Sequence, residues 1–326
     1  MIKRVLRFVA VSGVITALIP LGLILSQPAK PLDPSGETLN FDRILQGGSA
    51  TTDEPNLTEN VVMRDGYALQ LRSYVNGDGP LIVLVHGSGW NGLHFTGLAP
   101  QLSGTVLVPD LRGHGALPGR RGDVDYIGQF EDDLADLITA KAAEGQKVVL
   151  IGHSSGGGLV LRFAGGQYRQ LMDGAVLLAP FLHHSAPTMR PNSGGWAQPL
   201  LRRIIGLSML NGFGITTWNH LTAIQFNMPT EVLEGPLGHL AITSYSYRLN
   251  QSYAPRSDYV SDIRSLPDFL LLVGAQDEAF VAEAYQPLIE GETGKGTYRI
   301  LEETGHLDLV DAPETLEAIR EFIGGI

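Results

Sequence analysis

The 326-residue chain contains no cysteine, which removes disulfides, thiolate metal sites and thiol catalysis in one step. That absence does not fix the compartment, because a packed domain of this size needs no disulfide even when exported. Basic residues are also in short supply. With 23 Lys and Arg against 34 Asp and Glu, the net charge of -11 argues against nucleic acid as a partner, since neutralising phosphates needs clustered cations. No internal repeat or low-complexity tract is present. The nine histidines show no close metal-ligand spacing beyond His183-His184, so neither a metal nor another cofactor is expected. Nothing calls for an obligate protein partner.

What is present suits a globular enzyme: 44% hydrophobic and 17% charged residues, in a chain long enough for one large α/β domain with an insertion. The N-terminus adds a membrane signal. Lys3, Arg4 and Arg7 precede Phe8–Leu25, 18 residues without a charge. As a helix rising about 1.5 Å per residue, this run covers roughly 27 Å, enough for a bilayer core. Positive charge before the run, with Asp33 and Glu37 after it, predicts the N-terminus in the cytoplasm and the body outside. A cleaved signal peptide has a shorter apolar core and an A-x-A-like site. Here Ser26-Gln27-Pro28-Ala29 is the nearest candidate, so an uncleaved anchor over residues 1–25 is favoured over cleaved export to a secreted or periplasmic form.

Residues 26–58, with Pro28, Pro31, Pro34, Gly36, Gly47, Gly48 and Pro55, read as a tether. Asn60–Arg64 and Tyr67–Val75 read as strands joined by an Asp65-Gly66 hairpin turn. Leu81–Val85 is a continuous apolar run, as for a strand buried on both faces. Strands follow at 106–108, 148–151, 175–178, 269–273 and 297–301, and helical spacing covers 130–143. Alternating buried strands and helices predict a mainly parallel sheet with helices on both faces. Residues 59–180 and 256–326 would form this core. Between them, 181–255 break the alternation with many aromatics and with four arginines against two glutamates, which reads as an apolar cap over the carboxyl ends of the strands.

The most informative stretch is Gly152-His153-Ser154-Ser155-Gly156, which follows the apolar run Val148–Ile151. A buried strand entering a G-x-S-x-G turn that opens a helix is the context of a nucleophile elbow. A serine hydroxyl needs a base, and the base needs an orienting carboxylate, in the chain order serine, acid, histidine. Asp277 and His306 meet that order, each just past a later strand. Asp277 could instead be only a helix N-cap for 278–284, and His306 only a loop histidine; Asp110 is the runner-up acid. Asp308 and Asp311 lie too near His306 in sequence to orient it, and Asp311 reads as the cap of the last helix. The oxyanion donors would be the backbone N–H of Ser155 and of Ser88, with Gly89 second. His153, His86 and His114 read as supports: beneath the elbow, under the oxyanion loop, and holding the loop after Asp110.

Taken together, His86-Gly87, Asp110-Leu111-Arg112-Gly113-His114-Gly115, the elbow, Gly274-Ala275-Gln276-Asp277 and Gly305-His306 resemble the α/β-hydrolase superfamily over residues 60–324. The D-x-R-G-H-G stretch resembles the monoacylglycerol lipase and lysophospholipase branch, grouped with serine aminopeptidase-like hydrolases. Ser155 stands where that branch often has methionine, and the loop after His86 lacks the HGGG run of some esterases. The resemblance implies an α/β-hydrolase fold and a serine hydrolase acting on small acyl or lipid-like esters. A serine nucleophile argues against the haloalkane dehalogenase and epoxide hydrolase relatives, which use aspartate there. A peptidase, amidase or lactonase would use the same triad. A catalytically silent binding module on a membrane surface is the remaining alternative, and the presence of all three residues weighs against it.

Overall fold

Buried strands and helices alternate from residue 57 onward in the computed structural model, which describes residues 2–32, 39–41 and 57–326. The first strands are β1 (Leu57–Val62), β2 (Ala68–Asn76), β3 (Leu81–Val85), β4 (Gly104–Pro109), β5 (Val148–His153) and β6 (Gly174–Leu178). A separate antiparallel sheet is built from β7 (Ala197–Pro199), β8 (Thr222–Phe226) and β9 (Ser244–Ser246). The chain then returns to the main sheet with β10 (Asp268–Gly274) and β11 (Gly296–Leu301). The main sheet has the order β1-β2-β4-β3-β5-β6-β10-β11, antiparallel where β2 meets β1 and β4, and parallel elsewhere.

Sequence explains these positions. Every residue of β3, β5 and β6 is buried, as their continuous apolar runs require of strands covered on both faces. At the sheet edge β1 is mostly exposed, and it turns back through Asp65-Gly66, where Gly66 adopts φ +84° and lets Val62 pair with Ala68. The expected helix at 130–143 is α2 (Gln129–Lys141), with Phe130, Leu134, Leu137 and Ile138 on its buried face. It follows α1 (Ile2–Leu25), an N-terminal helix long and apolar enough to cross a membrane.

Past the elbow come α3 (Ser155–Ala164), then α4 (Leu201–Gly212), α5 (Thr230–Glu234), α6 (Tyr247–Tyr253), α7 (Tyr259–Arg264), α8 (Tyr285–Glu290) and α9 (Pro313–Ile323). Two local expectations change. The stretch 278–284 forms only a single 3-10 turn, Ala282–Ala284, and α9 takes Ala312 rather than Asp311 as its N-cap residue. Most of the expected tether, 33–38 and 42–56, lies outside the described residues, but Leu39 and Phe41 are buried in the main core.

Residues 181–255 are fastened to the parallel sheet by a buried polar network. Tyr245 Oη, beside β8, accepts the Gly89 N–H at 2.7 Å and donates to His114 Nε2 at 2.7 Å. His114 Nδ1 in turn donates to the carbonyls of Leu111 and Arg112. His86 donates from Nδ1 to the Gly87 carbonyl and accepts the Leu111 N–H at Nε2, with Tyr253 packed on its ring edge. Burial holds both imidazoles neutral, His86 down to about 4 and His114 well below its ordinary value.

Tyr245→Phe should therefore destabilise the fold by about 1–3 kcal/mol for each group it leaves unpaired, measured by chemical denaturation; an unchanged midpoint would contradict the network. Acid should act on the same residues. A His86 whose pKa is about 4 when folded and 6.5 when unfolded supports the fold above pH 6.5 and loses that support as the pH falls from 6.5 towards 4. A melting temperature that is flat across that interval would sink the prediction.

Candidate active site

The parallel strands deliver the candidate residues to one place. Ser88 follows β3, Ser154 follows β5, Asp277 follows β10 and His306 follows β11, all at carboxyl ends of strands. Ser154 is held at φ +55°, ψ -120°, a backbone conformation that L-residues rarely adopt. The flanking glycines are needed because the turn leaves no room for side chains. A Cβ on Gly152 would stand 2.4 Å from the Gly156 carbonyl oxygen, and one on Gly156 would stand 2.1 Å from that of Val85. The Ser154 N–H is tied to the Leu178 carbonyl at 2.9 Å, which fixes the turn to β6.

Three side chains meet in one hydrogen-bonded chain. His306 Nε2 lies 3.0 Å from Ser154 Oγ, and His306 Nδ1 lies 2.8 Å from Asp277 Oδ2. The second Asp277 oxygen accepts the N–H groups of Ala279 and Phe280 at 2.8 and 2.7 Å. Asp277 thus caps its own turn, with no α-helix over 278–284 behind it, while its other oxygen faces the imidazole. With Nδ1–H donated to Asp277, Nε2 is free to accept from the serine hydroxyl. Both Asp277 and His306 are buried.

Asp110 is not part of this chain. Its carboxylate is paired with Arg72 at 2.8 and 3.2 Å and accepts the Gly92 N–H at 2.9 Å. His153 packs against the His306 ring, with centroids 4.7 Å apart, and donates from Nε2 to the His306 carbonyl at 3.0 Å. Ser155 opens α3, so its N–H is one of that helix's unpaired donors. Ser88 lines the same pocket, while the Gly89 N–H is taken by Tyr245.

The pocket walls include residues that sequence reasoning missed. Trp90, His94, Trp196, Met228 and Leu307 line it together with Leu39 and Phe41 from the far side of the chain. Phe41 leans on Trp196 with ring centroids 5.5 Å apart. The Asn40 N–H donates to one oxygen of Glu278 at 3.2 Å, and the other oxygen accepts the His306 N–H at 2.7 Å. His94 packs edge-on against His153, and desolvation lowers its pKa to about 4. None of these carries a local motif; Glu278 follows Asp277 directly, which is the one signal that could have marked it. As described, the pocket leaves about 20 Å³ of free space, room for about one or two waters. No group of three or more His, Cys, Asp or Glu suited to a metal occurs among the described residues.

The chain is 37% identical over 119 residues to an uncharacterised protein of Mycobacterium tuberculosis, a match covering 35% of this chain and 32% of that one. The chain therefore spans about a third of the length of that curated relative. Among solved structures, an aryl esterase of Burkholderia cenocepacia, described as putative, superposes with TM-score 0.58 at 20% identity, covering 82% of this chain and 98% of that one. A monoacylglycerol lipase of Paleococcus ferrophilus superposes with TM-score 0.59 at 21% identity, covering 79% and 98%. These likenesses establish the fold. The model of the alpha/beta hydrolase family matches residues 82–319, from β3 through the candidate serine, aspartate and histidine into α9, and on that match the chain belongs to the alpha/beta hydrolase family.

Proposed function

We propose that this protein is a serine hydrolase of carboxylic esters with an apolar acyl group, working through an acyl-enzyme. The carrying observation is the unbroken chain from Ser154 Oγ through His306 to Asp277, at 3.0 and 2.8 Å, set at the floor of an apolar pocket. In this reading His306 takes the Ser154 proton as Oγ attacks the ester carbonyl. Asp277 keeps the imidazole in the tautomer with the proton on Nδ1 and stabilises its cation. The backbone N–H groups of Ser155 and Ser88 bind the developing oxyanion. His306 then hands its proton to the leaving alcohol, and water releases the acyl group by the reverse relay.

The substrate class rests on the walls. Leu39, Phe41, Trp90, Trp196, Met228 and Leu307 offer an acyl chain contact and offer a charged headgroup nothing. Free space for one or two waters means that an acyl chain enters by displacing a wall. Leu39 and Phe41 are the natural pieces to move, since they belong to a segment outside the parallel sheet. The names of the two structural neighbours, an aryl esterase described as putative and a monoacylglycerol lipase, are in line with ester cleavage. Residues 181–255, which contribute Trp196 and Met228, act in this reading as the cap. The uncharged run Phe8–Leu25 of α1, preceded by Lys3, Arg4 and Arg7, supports a retained anchor, with the N-terminus in the cytoplasm and the catalytic domain on the opposite side.

A panel of monoacylglycerols, lysophospholipids and aryl esters of graded acyl length tests the reading. Ser154→Ala should lower kcat by about 10⁴-fold or more; hydrolysis near the wild-type rate would end the assignment. Asp277→Asn should cost kcat on a similar scale, about 10⁴-fold. Asp110→Asn, which weakens only the pair with Arg72, should shift thermal stability more than rate, and the reverse ranking would move the acid to Asp110. Phe41→Ala should raise kcat/KM for long acyl chains relative to short ones, whereas an unchanged ratio would remove the segment from the acyl site.

A further inference from the structure

The surface of residues 201–220 is unlike that of a water-facing cap. From Ile204 to Thr230 there are 27 residues without Asp, Glu, Lys or Arg. Within that run, the loop that closes α4 exposes Phe213, Ile215 and Trp218, with Phe213 72% accessible. Leu201 and Ile205 continue the apolar surface along the helix at 58% and 51%. Interfacial protein surfaces combine such aromatic and aliphatic tips with basic residues at headgroup depth.

The position of α1 says what this surface faces. The two helices run antiparallel. Gln27, just past α1, accepts the Arg202 N–H at 2.8 Å, while Gly206 meets the helix further back. A Cβ on Gly206 would stand 2.6 Å from the Pro20 carbonyl oxygen and 2.8 Å from Ile24, so only glycine allows this approach. Ile24 joins Leu207, Leu210, Ala223 and Tyr247 in an apolar cluster that locks the pair. Following α4 from Gly206 to Phe213 adds seven residues, on the order of 10 Å at 1.5 Å per residue. The loop is thereby carried alongside the middle of the uncharged run. Arg202 and Arg203 remain at the opposite end, beside Gln27, where α1 leaves that run.

Several polar groups of the tip are paired internally, as suits a low-dielectric setting. Asn211 and Asn219 exchange amide hydrogen bonds at 2.7 and 2.8 Å, and Ser208 pairs with Tyr247 at 2.9 Å. The backbone N–H groups of Phe213, Gly214 and Ile215 donate to Leu210, Asn211 and Leu210 carbonyls at 2.9–3.0 Å.

We propose that the C-terminal half of α4 and the Phe213–Trp218 loop insert into the bilayer that α1 crosses, with Arg202 at the lipid phosphates. The inference rests on the reading of α1 as a retained span. It brings Trp196, a pocket wall only five residues before Leu201, close to the lipid surface.

The full-length protein, reconstituted into phosphatidylcholine vesicles with bromine on the acyl chains, provides the test. The chain has three tryptophans, and Trp90 and Trp196 are buried, so Trp218 is the one able to report lipid contact. Bromine deep in the acyl chains should quench wild-type emission more strongly than bromine near the headgroup, and Trp218→Phe should abolish the quenching. Phe213→Asp should lower the quenching at an unchanged melting temperature. A protein that floats with the vesicles yet shows no Trp218-dependent quenching overturns the insertion while leaving the anchor intact. Failure to float overturns both. Trp218 shielded from bromine, together with dimers in detergent, would assign the surface to a second copy of the chain.

Discussion

The candidate site depends on one backbone constraint, the positive φ of Ser154 between two glycines that have no space for a Cβ. Such a conformation is costly and persists only where its surroundings enforce it. Here β5 stops against the start of α3, the Val85 and Gly156 backbones touch, and the Leu178 carbonyl holds the Ser154 N–H. The result lifts one hydroxyl out of a fully buried strand into the pocket, next to an unpaired helix N-terminus. Shift the turn by one residue and the hydroxyl would no longer face the imidazole.

Around that turn, motif residues that look chemical do structural work. In Asp110-Leu111-Arg112-Gly113-His114-Gly115 the aspartate pairs with Arg72, and the arginine pairs with Asp133 and Asp65. The histidine is held by Tyr245. Arg112 also lies over the Tyr67 ring at 4.1 Å, joining the opening hairpin to α2. Buried charges are tolerated because each has an oppositely charged or hydrogen-bonding partner. This stretch thus serves as a bracket: it ties the antiparallel edge, α2 and the 181–255 segment to the loop that carries Ser88.

The membrane-facing reading and the pocket reading meet in the N-terminal segment. Its helix packs on α4, and its continuation puts Leu39 and Phe41 beside Trp196. Substrate entry and membrane seating would therefore involve the same surface of the protein. An enzyme whose substrate resides in lipid gains from that arrangement, because a released acyl chain is returned to lipid and not to water.

Much of this could be read from the chain. Strands such as Leu81–Val85 announce themselves by continuous apolarity, and the elbow by glycines two residues either side of a serine. The order serine, acid, histidine follows from strand ends spaced along the chain. These are local signals, written in neighbours of each residue. The partners of Ser154, by contrast, lie 123 and 152 positions away, and only parallel pairing of β10 with β6 and β11 brings their loops to one end of the sheet. Sequence alone left Asp110 and Asp277 as competing acids; the Arg72 side chain, delivered by β2, occupies the first. Likewise nothing near Phe41 or His94 marks them as pocket residues, because walls are made by whatever surface the fold turns inward. Local chemistry and periodicity determined the elements and the candidate nucleophile; long-range packing decided the neighbours of that nucleophile.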